Sequence, residues 1–181
     1  MDIETSHIIK LYLETQMVTG KIHFAPIPGA RLSDALNGIT DKGPVRGGKF
    51  LELTDVTIRH ADGTEENLKF SYISKATVQL AVSSGNVDSR TVTGAKNGPR
   101  AYPFVEKSPV LVRIETHDYL ISGVMYCKDH QSIWRVLEDP ATFLLLTDVQ
   151  IRALANDIRE EFSFAAVNKE QILSLRDGVS K

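Results

Sequence analysis

The sequence predicts a mainly β protein with short helices, organised as two tandem five-stranded small barrels, each with a short helix between its second and third strands. Three observations carry that expectation. The stretch Phe50-Leu51-Glu52-Leu53-Thr54-Asp55-Val56-Thr57-Ile58 recurs as Phe143-Leu144-Leu145-Leu146-Thr147-Asp148-Val149-Gln150-Ile151. Segments before and after it alternate apolar and polar residues with the period of half-buried strands. A lone glycine interrupts the second such segment of each half, Gly20 and Gly123, where an isolated strand glycine marks a bend that lets a sheet curl.

The elements follow in order. Ile9, Leu11 and Leu13 alternate with Lys10, Tyr12 and Glu14, which predicts a first strand over 8–14. A second runs over 17–24 and bends at Gly20. After the turn cluster Pro26-Ile27-Pro28-Gly29, the residues Leu32, Ala35 and Leu36 fall at helical spacing within 31–37. The glycine-rich segment 38–48 reads as an exposed loop, and the strand beginning at Phe50 follows it. Ala61-Asp62-Gly63-Thr64 supplies a hairpin turn. Residues 68–82 then read as one long or two short strands interrupted near Ser74-Lys75.

The second half repeats this order. Val110 to Thr116 matches the first strand, with Leu13-Glu14-Thr15 answering Ile114-Glu115-Thr116. Ile133, Val136 and Leu137 keep the helical spacing of Leu32, Ala35 and Leu36. Phe70 to Val78 matches Phe164 to Ile172 through a shared F-x-x-[IV]-[SN]-K-x-x-[VI]. The predicted organisation is a first barrel over 1–82, a linker over 83–108 that is rich in Ser, Gly, Asn, Thr and Pro, and a second barrel over 109–181, the product of a gene duplication.

Composition narrows the functions available. With 42% hydrophobic and 24% charged residues the chain has the make-up of an ordinary globular protein. A net charge of -2 creates no field that would gather nucleic acid or an anionic membrane without a local patch. The single cysteine, Cys127, excludes an intrachain disulfide and a cysteine-rich zinc site, and fits a reducing cytoplasm. The acidic start Met1-Asp2-Ile3-Glu4-Thr5 lacks the pattern of a signal peptide, and no apolar run is long enough for a membrane span, so no membrane partner is expected.

Val110 to Thr116, then a turn and Ser122-Gly123-Val124, is similar to the opening strands of Sm-like proteins, a group of SH3-like barrels. Phe143 to Ile151 looks like their third strand, and Phe164 to Lys169 with Ile172 looks like their fourth strand, tight turn and fifth strand. The resemblance implies a barrel that binds RNA through an Asp/Asn loop and an Arg-Gly turn. Here the first is replaced by the helical insertion, and the turn reads Ile73-Ser74-Lys75 or Val167-Asn168-Lys169, so that RNA site does not carry over. The helix over 31–37 and the following Leu53-Thr54-Asp55-Val56 also resemble an uncharacterised bacterial family, which implies no activity.

The motifs with chemical potential are few. Gly43-Pro44-Val45-Arg46-Gly47-Gly48-Lys49 satisfies G-x-x-x-x-G-K, but Phe50 stands where Ser or Thr should hold magnesium, and a strand follows where a helix N-terminus should hold phosphate. Its Lys42, Arg46 and Lys49 remain candidates for contact with an anion or a nucleic-acid backbone. Cys127-Lys128-Asp129-His130 brings too few ligands together for a metal, and His7, His23, His60 and His117 form no base-orienter pair. Asp55 and Asp148 sit in apolar runs where strict alternation would bury them, so each is expected to mark a bulge and to satisfy backbone amides there. Lys75 and Lys169 are expected in exposed turns, and Trp134 in a core. No catalytic residue, cofactor or metal is expected. The sequence points to a non-enzymatic protein-interaction or scaffolding module, able to form homo-oligomers through strand edges, with an RNA- or DNA-binding Sm-like protein as the alternative.

Overall fold

A computed structural model describes residues 5–24, 32–37, 39–40, 43–44, 48–83, 107–128 and 131–178. Residues 84–106 of the predicted linker and the loop cations Lys42 and Arg46 lie outside them, while Ser83, Lys107 and Ser108, at the ends of that predicted linker, fall in strands. The fold is mainly β, and its long strands join in one open, antiparallel ten-stranded sheet. The first half contributes β1 (Thr5–Leu13), β2 (Gln16–Phe24), β5 (Phe50–His60), β6 (Glu65–Ser74) and β7 (Val78–Ser83). The second contributes β8 (Lys107–Glu115), β9 (Tyr119–Lys128), β10 (Phe143–Ala153), β11 (Arg159–Asn168) and β12 (Ser174–Asp177). Short strands β3 (Ile39–Thr40) and β4 (Gly43–Pro44) pair separately. Helices α1 (Leu32–Asn37) and α2 (Ile133–Leu137) precede β5 and β10, and 3-10 turns at Lys75–Thr77 and Lys169–Gln171 separate β6 from β7 and β11 from β12. No helix among the described residues is long and apolar enough to cross a membrane.

The strand order is β12-β8-β9-β10-β11-β7-β1-β2-β5-β6. Each half therefore has the same internal order, its fifth strand beside its first and its fourth at the far side. The halves join where β11 pairs with β7, placing Ala165 opposite Val82, Ala166 opposite Ala81 and Val167 opposite Leu80. The other fourth strand, β6, and the other fifth strand, β12, are the outer edges.

Register defines which residues correspond. Ile9 lies opposite Gly20, and Val112 lies opposite Gly123. Leu11 thus corresponds to Ile114 and Leu13 to Thr116, which corrects the match of Leu13-Glu14-Thr15 with Ile114-Glu115-Thr116. That tripeptide match is displaced by two residues, a shift that leaves every side chain on the same face and so leaves the alternation unchanged.

The glycine bends are close approaches of backbone to core. A Cβ on Gly20 would lie 3.2 Å from Leu53 Cβ, 3.2 Å from Thr54 O and 3.3 Å from Val56 Cγ2. On Gly123 it would meet Leu146, Thr147 and Val149 at the same distances. Opposite each glycine the partner strand shifts register, and there Asp55 and Asp148 adopt φ of 49° and 50°. That left-handed step switches the buried alternation from Leu51 and Leu53 to Val56 and Ile58, leaving the aspartate outside.

Two cores form, and each borrows from the other half. The first gathers Ile9, Leu11, Val18, Leu36 and Leu53 with Phe143, Phe164 and Ala166. The second gathers Val112, Ile114, Ile121, Met125 and Leu146 with Tyr12, Leu80 and Val82. Every residue of β7 is consequently buried, with Leu80 and Val82 serving the second core and Val78 and Ala81 the first.

Candidate functional site

The join between the halves is held by polar devices as well as by packing. Asn168, fully buried, donates through Nδ2 to Lys75 O at 2.9 Å and to Val78 O at 3.0 Å, while its Oδ1 accepts from Glu170 N at 3.0 Å. Gln79 Oε1 accepts from the buried Thr116 hydroxyl at 2.9 Å, and Gln79 Nε2 donates to Asp118. The side chain of Asn37, at the end of α1, reaches across to β10, its Oδ1 accepting from Phe143 N at 2.7 Å.

On the sheet surface, Glu160 accepts from Lys10 Nζ at 2.8 Å and from the Tyr12 hydroxyl at 2.7 Å. Burial by itself would raise the Glu160 carboxyl, but these two donors outweigh it and hold the group below its ordinary value. Burial and the neighbouring carboxylate push the Tyr12 hydroxyl upward, so it stays protonated and acts as a donor. Lys10 also lies 4.8 Å from the centre of the Tyr12 ring, which meets Tyr119 edge to face at 5.2 Å.

A shallow groove lies beside this latch in each half, and the two correspond. One, of about 240 Å³, is lined by Lys10, Met17, Thr19, Thr57, Arg59 and Glu65. The other, of about 370 Å³, includes Arg113, Leu120, Ser122, Gln150, Arg152 and Arg159 at the six corresponding positions. Their charges are largely spent internally: Arg59 meets Glu65 at 2.6 Å, and Arg152 and Arg159 each approach Asp157 at 3.5 Å. Among the described residues no group of three or more His, Cys, Asp or Glu could hold a metal ion.

The open edges differ from the closed join in what they expose. Phe70 and Tyr72 on β6 are 61% and 59% exposed and touch edge to face, and Phe50 beside them is 53% exposed. Their counterparts on β11, Phe164 and Ala166, are 3% and 0% exposed, because β11 is paired with β7. At the other edge Leu173 is exposed and Leu175 half-buried.

The residues singled out in the sequence do not converge. Lys49 is exposed, and its carbonyl accepts from Lys75 N at 2.8 Å. Asp55 is exposed and accepts from Lys21 Nζ at 2.7 Å, which holds its carboxyl low; it pairs with a cation where backbone amides were expected. Lys75 and Lys169 are not exposed turn residues. Lys75 is 5% exposed, and burial lowers its ammonium value. Lys169 donates to Val136 O at 2.7 Å and Asp139 O at 2.8 Å, filling carbonyls left open at the end of α2. The 3-10 turn that begins at Lys169 places this side chain against the end of α2. Trp134 is 67% exposed, since Ile133, Val136 and Leu137 occupy the inner face of α2. Cys127 is buried, which raises its thiol; Asp129 and His130 lie outside the described residues.

No family model, curated protein or solved structure matches the chain. Sequence reasoning missed the Lys10-Tyr12-Glu160 latch and the Asn168 bridge. Their partners are distant in the chain and meet only through the β11-β7 pairing, for which no local pattern exists.

Proposed function

We propose that the chain is a non-enzymatic interaction or scaffolding module made of two duplicated barrel-like halves of the Sm-like, SH3-like kind, working through its strand edges. The observation that carries this reading is the contrast between Phe70 and Tyr72, exposed on the open edge β6, and Phe164 and Ala166, covered at the corresponding strand. An antiparallel edge bearing adjacent aromatic rings recruits another strand through main-chain hydrogen bonds and buries those rings as it does so. A polyanion fits this surface less well: Glu65 and Glu66 lie on β6 and Glu52 is opposite Tyr72, against Lys69 alone on that strand. Affinity capture from the source cell with the wild-type chain and with a Phe70→Ser/Tyr72→Ser variant tests the reading. The double variant should lose the specific interactors, and an unchanged set from both baits would overturn the proposal.

A further inference from the structure

We infer that the chain assembles head to tail with copies of itself, edge β6 of one copy pairing with edge β12 of the next. The inference rests on the edge-interaction reading above and names the partner. Three observations carry it. The first is topological: β6 corresponds to β11 and β12 corresponds to β7, so the two open edges are the counterparts of the two strands already paired inside the chain. Repeating the internal join between chains places Ser71 opposite Arg176, Tyr72 opposite Leu175 and Ile73 opposite Ser174. An interface that joins two different surfaces propagates into a ring or a filament.

The backbone is poised for that register. Lys75 N donates to Lys49 O on the β5 side, and Gly178 N donates to Leu111 O on the β8 side. In an antiparallel ladder inward-bonded residues alternate with outward-facing ones, so Ile73 and Ser71 bond inward to β5 while Tyr72 faces out. On β12 the same count sends Arg176 and Ser174 inward and Leu175 outward. Tyr72 and Leu175 therefore both present free N–H and C=O groups at the position where Ala166 and Ala81 meet internally.

The second observation is burial. Phe70 and Tyr72 stand exposed where Phe164 and Ala166 are covered by the neighbouring half, so a second copy removes the largest aromatic exposure on β6. The third is charge. The latch between Lys10 and Glu160 has Arg113 and Glu66 at the corresponding positions, Arg113 on β8 beside the edge strand β12 and Glu66 on the edge strand β6. Opposite charge is preserved in the same order, so Glu66 of one copy meets Arg113 of the next. Ser74 stands where Asn168 bridges the internal join, and its hydroxyl keeps one donor for the facing carbonyls.

Native mass spectrometry and light scattering on the full chain test this with two edge variants. Tyr72→Pro and Leu175→Pro each remove an outward N–H, a change that an edge strand tolerates. The wild type should give multiples of the 20.1 kDa chain mass, and each variant alone should be a monomer. An equimolar mixture should form a dimer and stop there, because only one intact β6 and one intact β12 remain. A Leu175→Pro chain that still dimerises alone would show β6 pairing with β6 and overturn the head-to-tail arrangement. A monomeric wild type at high concentration would overturn self-assembly, while Tyr72-dependent capture of another protein would leave the broader edge reading standing. Should Leu175→Pro fail to fold, Glu66→Arg and Arg113→Glu replace it: each should weaken assembly several-fold, and the double exchange should restore it. Failure of the exchange to restore assembly would refute the proposed register.

Discussion

Replacing Asn168 by alanine removes three hydrogen bonds from the centre of the join while leaving both cores their apolar side chains. The lost bonds run to Lys75 O, Val78 O and Glu170 N, at 2.9, 3.0 and 3.0 Å. Each contributes about 1 kcal/mol net, and a carbonyl left buried without a partner costs about 1–3 kcal/mol. Glu170 N lies near the surface and can turn to water, so its share is the smallest. The expected loss is about 2–4 kcal/mol, which for a chain of this size lowers Tm by about 5–15 °C. Asn168→Asp provides the decisive control. It keeps the acceptor for Glu170 N but replaces the amide donor with a carboxylate facing two carbonyls, so it should destabilise more than alanine does. Urea unfolding followed by circular dichroism, at neutral pH, measures both. A loss under about 0.5 kcal/mol for Asn168→Ala, or an aspartate variant as stable as wild type, would refute the argument that this amide ties the halves together.

Other consequences can be checked with the same assay. Gly20→Ala and Gly123→Ala should each cost about 0.5–2 kcal/mol, because the new methyl presses on neighbours at 3.2–3.3 Å, and the two losses should agree closely since the surroundings match. Asp55→Val and Asp148→Val should cost about 1–2 kcal/mol each, since a β-branched residue resists φ near 50°, whereas glycine at either site should be neutral or stabilising. The Glu160 latch gives a pH signature. Its carboxyl is held low in the fold, so its contribution is present above the unfolded glutamate value and is lost as pH falls through the lower folded value. With the Glu160 side chain 36% exposed the effect is at most about 1 kcal/mol, and the stability gap between wild type and Glu160→Gln should narrow below about pH 4.5. A gap that widens on acidification would contradict the assigned roles of Lys10 and Tyr12.

Much of the local structure was legible in the residues. Alternation located β1, β2 and the strand beginning at Phe50, and the spacing of Leu32, Ala35 and Leu36 located α1, because those periods are set by which face is buried. Gly20 and Gly123 could be read as bends, since a Cβ at either would press on Thr54 O or Thr147 O at 3.2 Å. What alternation cannot carry is pairing between distant strands. The join of β11 with β7 makes one sheet, exchanges Phe164 and Tyr12 between the cores and buries Asn168. The misplacement of Lys75, Lys169 and Trp134 has a related cause. A 3-10 turn and a one-turn helix are too short for periodicity to assign an inner face, so tertiary contacts decide which side chain is covered. The candidate edge surface was visible only as apolar residues in a strand; that Phe70 and Tyr72 lie outside while Phe164 lies inside follows from which edge is paired.

Residue-resolved hydrogen exchange across a concentration series tests the central claim most directly, since it reads the main-chain bonds that the two edges would form. Ala81 and Ala166 should exchange slowly at every concentration, and the amides of Tyr72 and Leu175 should slow together as concentration rises. Rapid exchange at Tyr72 and Leu175 at all concentrations, beside protected Ala81 and Ala166, would contradict assembly through these edges.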